Sequence, residues 1–203
     1  MVKKLFAIAV LATMTLCASA QEDIKKFRFG PTVGLNISTM NLVASHSARV
    51  GFNVGALAEY NFTDNIFMTG ALKYSQKGVA WDGIMSNGGD LKANPGYIEI
   101  PIHVGYRYSF NDKFSLFADF GPYFAVGVSG EYKADGYTSE SFYDCSIPDL
   151  NGKRFDMGLG ASVGAEYSNI QLRIGYDFGL TKAFDATDSA KNRNFYVGVG
   201  YMF

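Results

Sequence analysis

The side chains best equipped for chemistry are the titratable ones, and their spacing decides whether any of them act together. His46 lies between Ser45 and Ser47, with Asp82 and Asp90 further along, a set that would make a metal or hydrolase site if a fold gathered it. No spacing ties these groups to one element, and solvated loops are the simpler reading. Glu99 and His103 share one face of an extended segment, but the intervening chain separates them by about 13 Å, too far for an acid–base pair without a third partner. Gly158-Leu159-Gly160-Ala161-Ser162-Val163-Gly164 carries the glycines of a phosphate-cradling loop at the wrong spacing, with no helix after it. Asp188-Ser189-Ala190 is too short a pattern to define a modification site. No catalytic constellation, metal site or cofactor is therefore expected, and the protein reads as a non-enzyme.

The remaining charges follow a different order. Arg28, Lys73, Lys77, Arg107 and Arg173 are basic, Glu59, Glu99, Asp119, Asp156, Glu166 and Asp177 are acidic, and together with His103 they sit inside segments that alternate polar and apolar residues. Phe27 to Ser38 alternates throughout, with Phe27, Phe29, Pro31, Val33, Leu35 and Ile37 on one side and Arg28, Gly30, Thr32, Gly34, Asn36 and Ser38 on the other. This period of two predicts a strand. The pattern recurs in Val50 to Phe62, Ile66 to Lys77, Tyr97 to Tyr108, Phe114 to Ser129, Phe155 to Tyr167, Ile170 to Leu180 and Phe195 to Phe203, which makes eight strands. In all eight the apolar side carries no charge, and Gln76 is its one strongly polar residue; every charge named above falls on the opposite parity.

Composition sets the class. The 203 residues hold 48% hydrophobic and 15% aromatic residues but only 18% charged ones, with 23 Gly against 5 Pro. Aromatic and Gly enrichment at low charge argues against disorder, helical bundles and coiled coils. A net charge of −1 without a basic run gives no electrostatic footprint for nucleic acid. Met1 to Ala20 has Lys3 and Lys4, an apolar stretch from Leu5 to Leu16, and Ala18-Ser19-Ala20 before Gln21, the three parts of a secretory signal cleaved near Ala20. Its apolar stretch is too short for a membrane anchor, and Leu16 stands where a lipoprotein would need a small residue before Cys17. The domain boundaries expected are thus 1–20 for the signal peptide and 21–203 for the mature domain, in which Cys145 is the one remaining cysteine.

An uncharged apolar face on every strand is what a bilayer demands, since a charge at its midplane costs about 2 to 4 kcal/mol. A soluble lipocalin-like binder, the rival, would turn that face inward. Links after the second, fourth and sixth segments are short (63–65, 109–113, 168–169), and those after the first, third, fifth and seventh are long (39–49, 78–96, 130–154, 181–194), the arrangement of periplasmic turns and exterior loops. Outward aromatics gather at the short-turn end, among them Phe29, Tyr60, Phe62, Tyr106, Tyr108, Phe114, Tyr167, Tyr201 and Phe203, as an interfacial girdle would. The fold expected is all-β, an eight-stranded antiparallel up-and-down transmembrane barrel in the outer membrane. Its lumen would be filled by a self-neutralising polar network, with inward glycines making room for long charged chains and Pro101 forcing a bulge that turns Glu99 inward.

Tyr97-Ile98-Glu99-Ile100-Pro101-Ile102-His103-Val104-Gly105-Tyr106 resembles the fourth strand of the PorT-like outer-membrane β-barrel family common in Bacteroidetes, in which a Tyr-Leu-Glu-Ile-Pro run precedes apolar residues and Tyr. Gly30-Pro31 with Gly34-Leu35-Asn36, Tyr74-Ser75-Gln76-Lys77-Gly78, Gly121-Pro122-Tyr123 and Asp156-Met157-Gly158-Leu159 fit the same family and extend the likeness over nearly the whole mature chain. The resemblance implies the fold and the outer-membrane location but no reaction. It implies Tyr201 and Phe203 as a C-terminal signal to the barrel-assembly machinery. One namesake takes part in type IX protein secretion, so an envelope or secretion partner is one implied reading, beside loops that bind an exterior partner. The other expected partner is outer-membrane lipid, and a monomer is expected.

Overall fold

A computed structural model describes residues 26–40, 47–81, 83, 89–134, 139–145, 151–184 and 190–203. The signal peptide, His46, Asp82, Asp188 and Ser189 lie outside the described residues. The strands are β1 (Phe27–Met40), β2 (Ser47–Asn61), β3 (Ile66–Gln76), β4 (Val79–Trp81), β5 (Leu91–Ala93), β6 (Gly96–Ser109), β7 (Phe114–Ser129), β8 (Glu131–Ala134), β9 (Glu140–Ser141), β10 (Phe155–Tyr167), β11 (Ile170–Gly179) and β12 (Asn192–Tyr201).

Eight of these close into a barrel. The order β1-β12-β11-β10-β7-β6-β3-β2 is antiparallel throughout, and β1 returns to pair with β2 over Phe27 to Ser38, so the barrel wall has no open edge. β1 meets β12 with Thr32 opposite Gly200 and Met40 opposite Asn192. Closure is what allows backbone amides to stand in lipid, where an unpaired one would have no water to bond.

Alternation puts the apolar set outside. Val33, Leu35, Phe120 and Val163 are more than half exposed, at 58%, 61%, 71% and 58%, while Glu59, Glu99, Lys77 and Asp156 are almost completely buried. The soluble lipocalin-like reading is overturned by this polarity. At the short-turn end the outward rings gather in clusters, with centroids 5.9 Å apart for Phe29 and Phe203, 5.1 Å for Tyr60 and Phe62, and 5.0 Å for Tyr201 and Phe203.

Four details depart from expectation. The last strand starts at Asn192 rather than Phe195, because Asn192 and Asn194 face inward and continue the period; this places Arg193 on the outward parity, a charge on a side expected to have none. The links 78–96 and 130–154 are not merely loops: β4 pairs with Ser47 and Ala48 of β2, β5 with β4, β8 with β5 and β9 with β8. Pro101 causes no bulge. The β3–β6 register is the same on either side of it, and Glu99 points inward by plain alternation; the register shift in β6 is at Gly96/Tyr97. Inward glycines seat aromatic rings more than charged chains. A Cβ on Gly158 would come within 2.7 Å of the Tyr123 ring, on Gly164 within 2.8 Å of Phe117, and on Gly175 within 2.8 Å of Tyr196.

Candidate functional site

The charged residues inside the barrel fall into three groups stacked along its axis. The first is at the short-turn end, where Arg28 on β1, Glu59 on β2, Arg107 on β6 and Glu166 on β10 converge. Glu59 accepts from Arg28 Nη2 at 2.5 Å and from Arg107 Nη2 at 2.6 Å, and Arg28 also binds Glu166 through both terminal nitrogens. Arg107 Nη1 donates to Asn61 Oδ1 at 3.0 Å, and Gln171 Nε2 to Glu166 Oε2 at 2.9 Å. Two guanidiniums alternate with two carboxylates, the arrangement in which forked donors match planar acceptors.

The second group is at mid-height. Asp119 accepts from Ser162 Oγ at 2.8 Å and from Arg173 Nη1, and lies 2.8 Å from His103 Nδ1. The Arg173 guanidinium stacks 4.6 Å from the Phe117 ring centre and that of Arg107 4.6 Å from Phe67, so the rings seated by the inward glycines cover the flat faces of the cations.

The third group is beneath the outer mouth. Glu99 bridges Lys73 at 3.0 Å and Lys77 at 2.7 Å, and Lys77 reaches Asp156 at 3.5 Å. Asp156 also accepts from Tyr123 at 3.2 Å, Asn192 at 3.0 Å and Thr181 at 2.9 Å, and Asp177 accepts from Asn194 at 3.1 Å. The Lys77 ammonium lies 4.4 Å from the Tyr123 ring centre.

The twelve charged or titratable residues assigned to the inward parity of the strands thus face the lumen, and Glu99 and His103 belong to different groups, as their separation along β6 requires. Sequence reasoning missed the neutral partners Asn61, Ser162, Gln171, Thr181, Asn192 and Asn194; inward parity was the available signal for Asn61, Ser162 and Gln171, whereas Thr181, Asn192 and Asn194 fell in the link expected over 181–194. The packing leaves a cavity of about 30 Å³ against Thr69, His103, Gln171, Arg173 and Tyr196, the space of a water molecule or two. The glycine run 158–164 is the middle of β10, and Asp90 accepts from the Gly83 amide in an exposed turn.

The outer mouth is covered by a second, apolar core. Met40, Val79, Ala93, Tyr132, Phe142, Tyr143, Ala183, Phe184 and Ala190 are buried together, with Trp81, Leu91 and Cys145 packed against them. Burial among these apolar neighbours pushes the Tyr132 and Tyr143 hydroxyls well above the ordinary phenol range, so both stay neutral. At the opposite end, Met202 is buried against Leu57 and Ala71, its amide donates to Asn169 O at 2.8 Å, and the Phe203 amide donates to Phe29 O at 2.8 Å.

A closed eight-stranded barrel with a lipid-facing exterior and a paired, charged interior is a transmembrane protein of the outer membrane. The chain belongs to the outer membrane protein β-barrel domain family, whose pattern it matches over residues 19–185. Among solved structures it is similar to the attachment invasion locus protein Ail of Yersinia pestis, at 18% identity and a TM-score of 0.46, covering 88% of this chain and 99% of that one. It is also similar to Neisserial surface protein A, at 15% identity and a TM-score of 0.47, covering 87% and 97% of the two chains. OprG of Pseudomonas aeruginosa gives 12% identity and a TM-score of 0.48, covering 87% and 94%. No curated protein matches the sequence.

Proposed function

We propose that this protein is a non-enzymatic anchor of the PorT-like kind, in which a plugged barrel holds a folded exterior cap against a partner in the envelope or outside the cell. The observation that carries this reading is the cap itself: two links that could have been independent loops are joined through β5 and β8 and share one apolar core over the barrel mouth. A cap built that way presents one shaped surface. The lumen supports the same reading, since most of its carboxylates, guanidiniums and ammoniums are engaged with one another and the cavity beside His103 and Arg173 is the size of a water molecule or two. Tyr201 and Phe203, outward at the end of the barrel, serve as its signal to the assembly machinery.

The likeness of Tyr97 to Tyr106 to the PorT-like strand favours a second reading, in which the partner is a component of protein secretion. One experiment separates these. Segments 79–93 and 131–145 are replaced, singly, by short Gly-Ser linkers in the source bacterium, and secretion, adhesion and nutrient uptake are measured with barrel insertion checked by heat-modifiable gel mobility. Loss of secretion alone selects the secretion reading, and loss of adhesion or uptake selects an exterior partner. Inserted barrels with every envelope trait intact would refute the cap-centred function.

A further inference from the structure

The charges beneath the outer mouth do not balance. Glu99, Asp156 and Asp177 are buried there with two ammoniums, those of Lys73 and Lys77. Both ammoniums lie on Glu99, and Lys77 also reaches Asp156, which has Tyr123, Thr181 and Asn192 as further donors. Asp177 is left with one neutral donor, Asn194 Nδ2 on its Oδ2 at 3.1 Å. Arg49, the next inward cation toward the mouth, is half-buried and pairs with none of the three among the described residues. A buried carboxylate held by a single neutral donor is costly to keep charged.

The other oxygen of Asp177 faces a nitrogen in a matching position. On the barrel wall Gly121 of β7 stands opposite Gly160 of β10, and Gly160 opposite Asp177 of β11. His103 of β6 lies against Gly121, where a Cβ would come within 2.8 Å of the His103 Cα. With two glycines between them, nothing stands in the way of the imidazole as it lies along the wall toward Asp177. The point that a Cβ on Gly160 would occupy is 2.9 Å from His103 Nε2 and 2.8 Å from Asp177 Oδ1. Nε2 is buried and has no protein hydrogen-bond partner, whereas Nδ1 lies 2.8 Å from Asp119, which has Arg173 as its own counter-ion. One water spans a ring nitrogen and a carboxylate oxygen so placed, and passes a proton between them. A proton held there, on either atom, supplies the positive charge that the third carboxylate lacks.

We propose that His103 and Asp177 hold one proton in common, through a water seated over Gly160, and that the barrel interior thus carries a proton-binding site beneath the cap. The other ionisable groups facing the pair are Lys73 of β3, Lys77 just after it, Glu99 of β6, Tyr123 of β7, Asp156 of β10 and Tyr196 of β12. Loss of the proton leaves an unmatched carboxylate under the apolar cap core, so the closed barrel is less stable as pH rises. The site is independent of what the cap binds.

The test is the pH dependence of unfolding of the full mature protein in phospholipid vesicles, wild type beside Asp177→Asn, by urea titration with gel mobility as the readout of folding. Above about pH 5 an unfolded Asp177 is ionised, while the folded pair keeps its proton. Relative to the variant, wild type therefore binds one proton more when folded than when unfolded, and its stability falls with rising pH. The unfolding constant of wild type divided by that of Asp177→Asn is expected to rise about tenfold per pH unit between about pH 5 and pH 7. A ratio that stays constant, or that falls, would overturn the proposal. Where Asp177→Asn does not fold, nuclear magnetic resonance of the otherwise native His46→Gln protein with isotope-labelled histidine and aspartate is read at about pH 7, His103 then being the one imidazole. One imidazolium or one buried carboxylic acid supports the shared proton, and a neutral imidazole with every aspartate ionised would overturn it.

Discussion

Glu59 is the place where the lumen network can be broken with the largest effect. Its carboxylate is 1% exposed and bridges Arg28 and Arg107 at 2.5 and 2.6 Å. Glu59→Ala leaves Arg28 with Glu166, but leaves Arg107 with the neutral Asn61 and a carboxylate at 3.6 Å. Removing one partner of a buried pair costs about 3 to 5 kcal/mol, because the other stays buried and uncompensated. Arg28 keeps a partner and its side chain is 20% exposed, so the loss falls mainly on Arg107 and the lower part of that range, about 3 kcal/mol, is expected. Adding Arg107→Met removes the stranded charge and should return part of the loss. Urea unfolding of the four proteins of the cycle, refolded in phospholipid vesicles and followed by far-ultraviolet circular dichroism and gel mobility, measures it. If the two substitutions add to within about 0.5 kcal/mol, the coupling is absent and the network reasoning fails.

Three further perturbations test other parts of the structure. Phe142→Ala empties the centre of the cap core and should destabilise the cap by about 3 to 5 kcal/mol, seen as faster proteolysis between 131 and 154 in a barrel whose heat-modifiable mobility is unchanged. Ser168 has φ of 56° in the two-residue turn between β10 and β11, so Ser168→Gly should stabilise the barrel by about 1 kcal/mol in urea titrations; a loss of stability would contradict the turn geometry. Ile174→Arg puts a charge on the lipid face midway along β11 and should cost about 2 to 4 kcal/mol in vesicles, whereas the same change at the girdle residue Tyr201 should cost about 1 kcal/mol or less.

The barrel could be read in the sequence because it obeys a period of two: Phe27 to Ile37 on one parity and Arg28 to Ser38 on the other leave a single way to bury the charges. The inward set followed from the same rule. The pairings within it did not. Glu59 meets Arg28 across a neighbouring strand, but Arg28 meets Glu166 from the far side of the lumen, and parity carries no information about distance through the interior. The cap escaped for another reason. Val79–Trp81 and Leu91–Ala93 are too short to establish a period, and their stability comes from tertiary contact with Tyr132 and Phe142 rather than from local pattern. Arg193 was missed because its strand was started three residues late, at the first aromatic instead of the inward Asn192.

The cap's apolar core draws Trp81 from one link, Tyr132 and Phe142 from a second and Phe184 from a third. The surface above it is therefore a discontinuous epitope. Antibodies raised against peptides copied from single links would recognise the denatured chain and pass over the living cell, whereas those raised against the folded barrel would bind intact bacteria and lose their target on boiling.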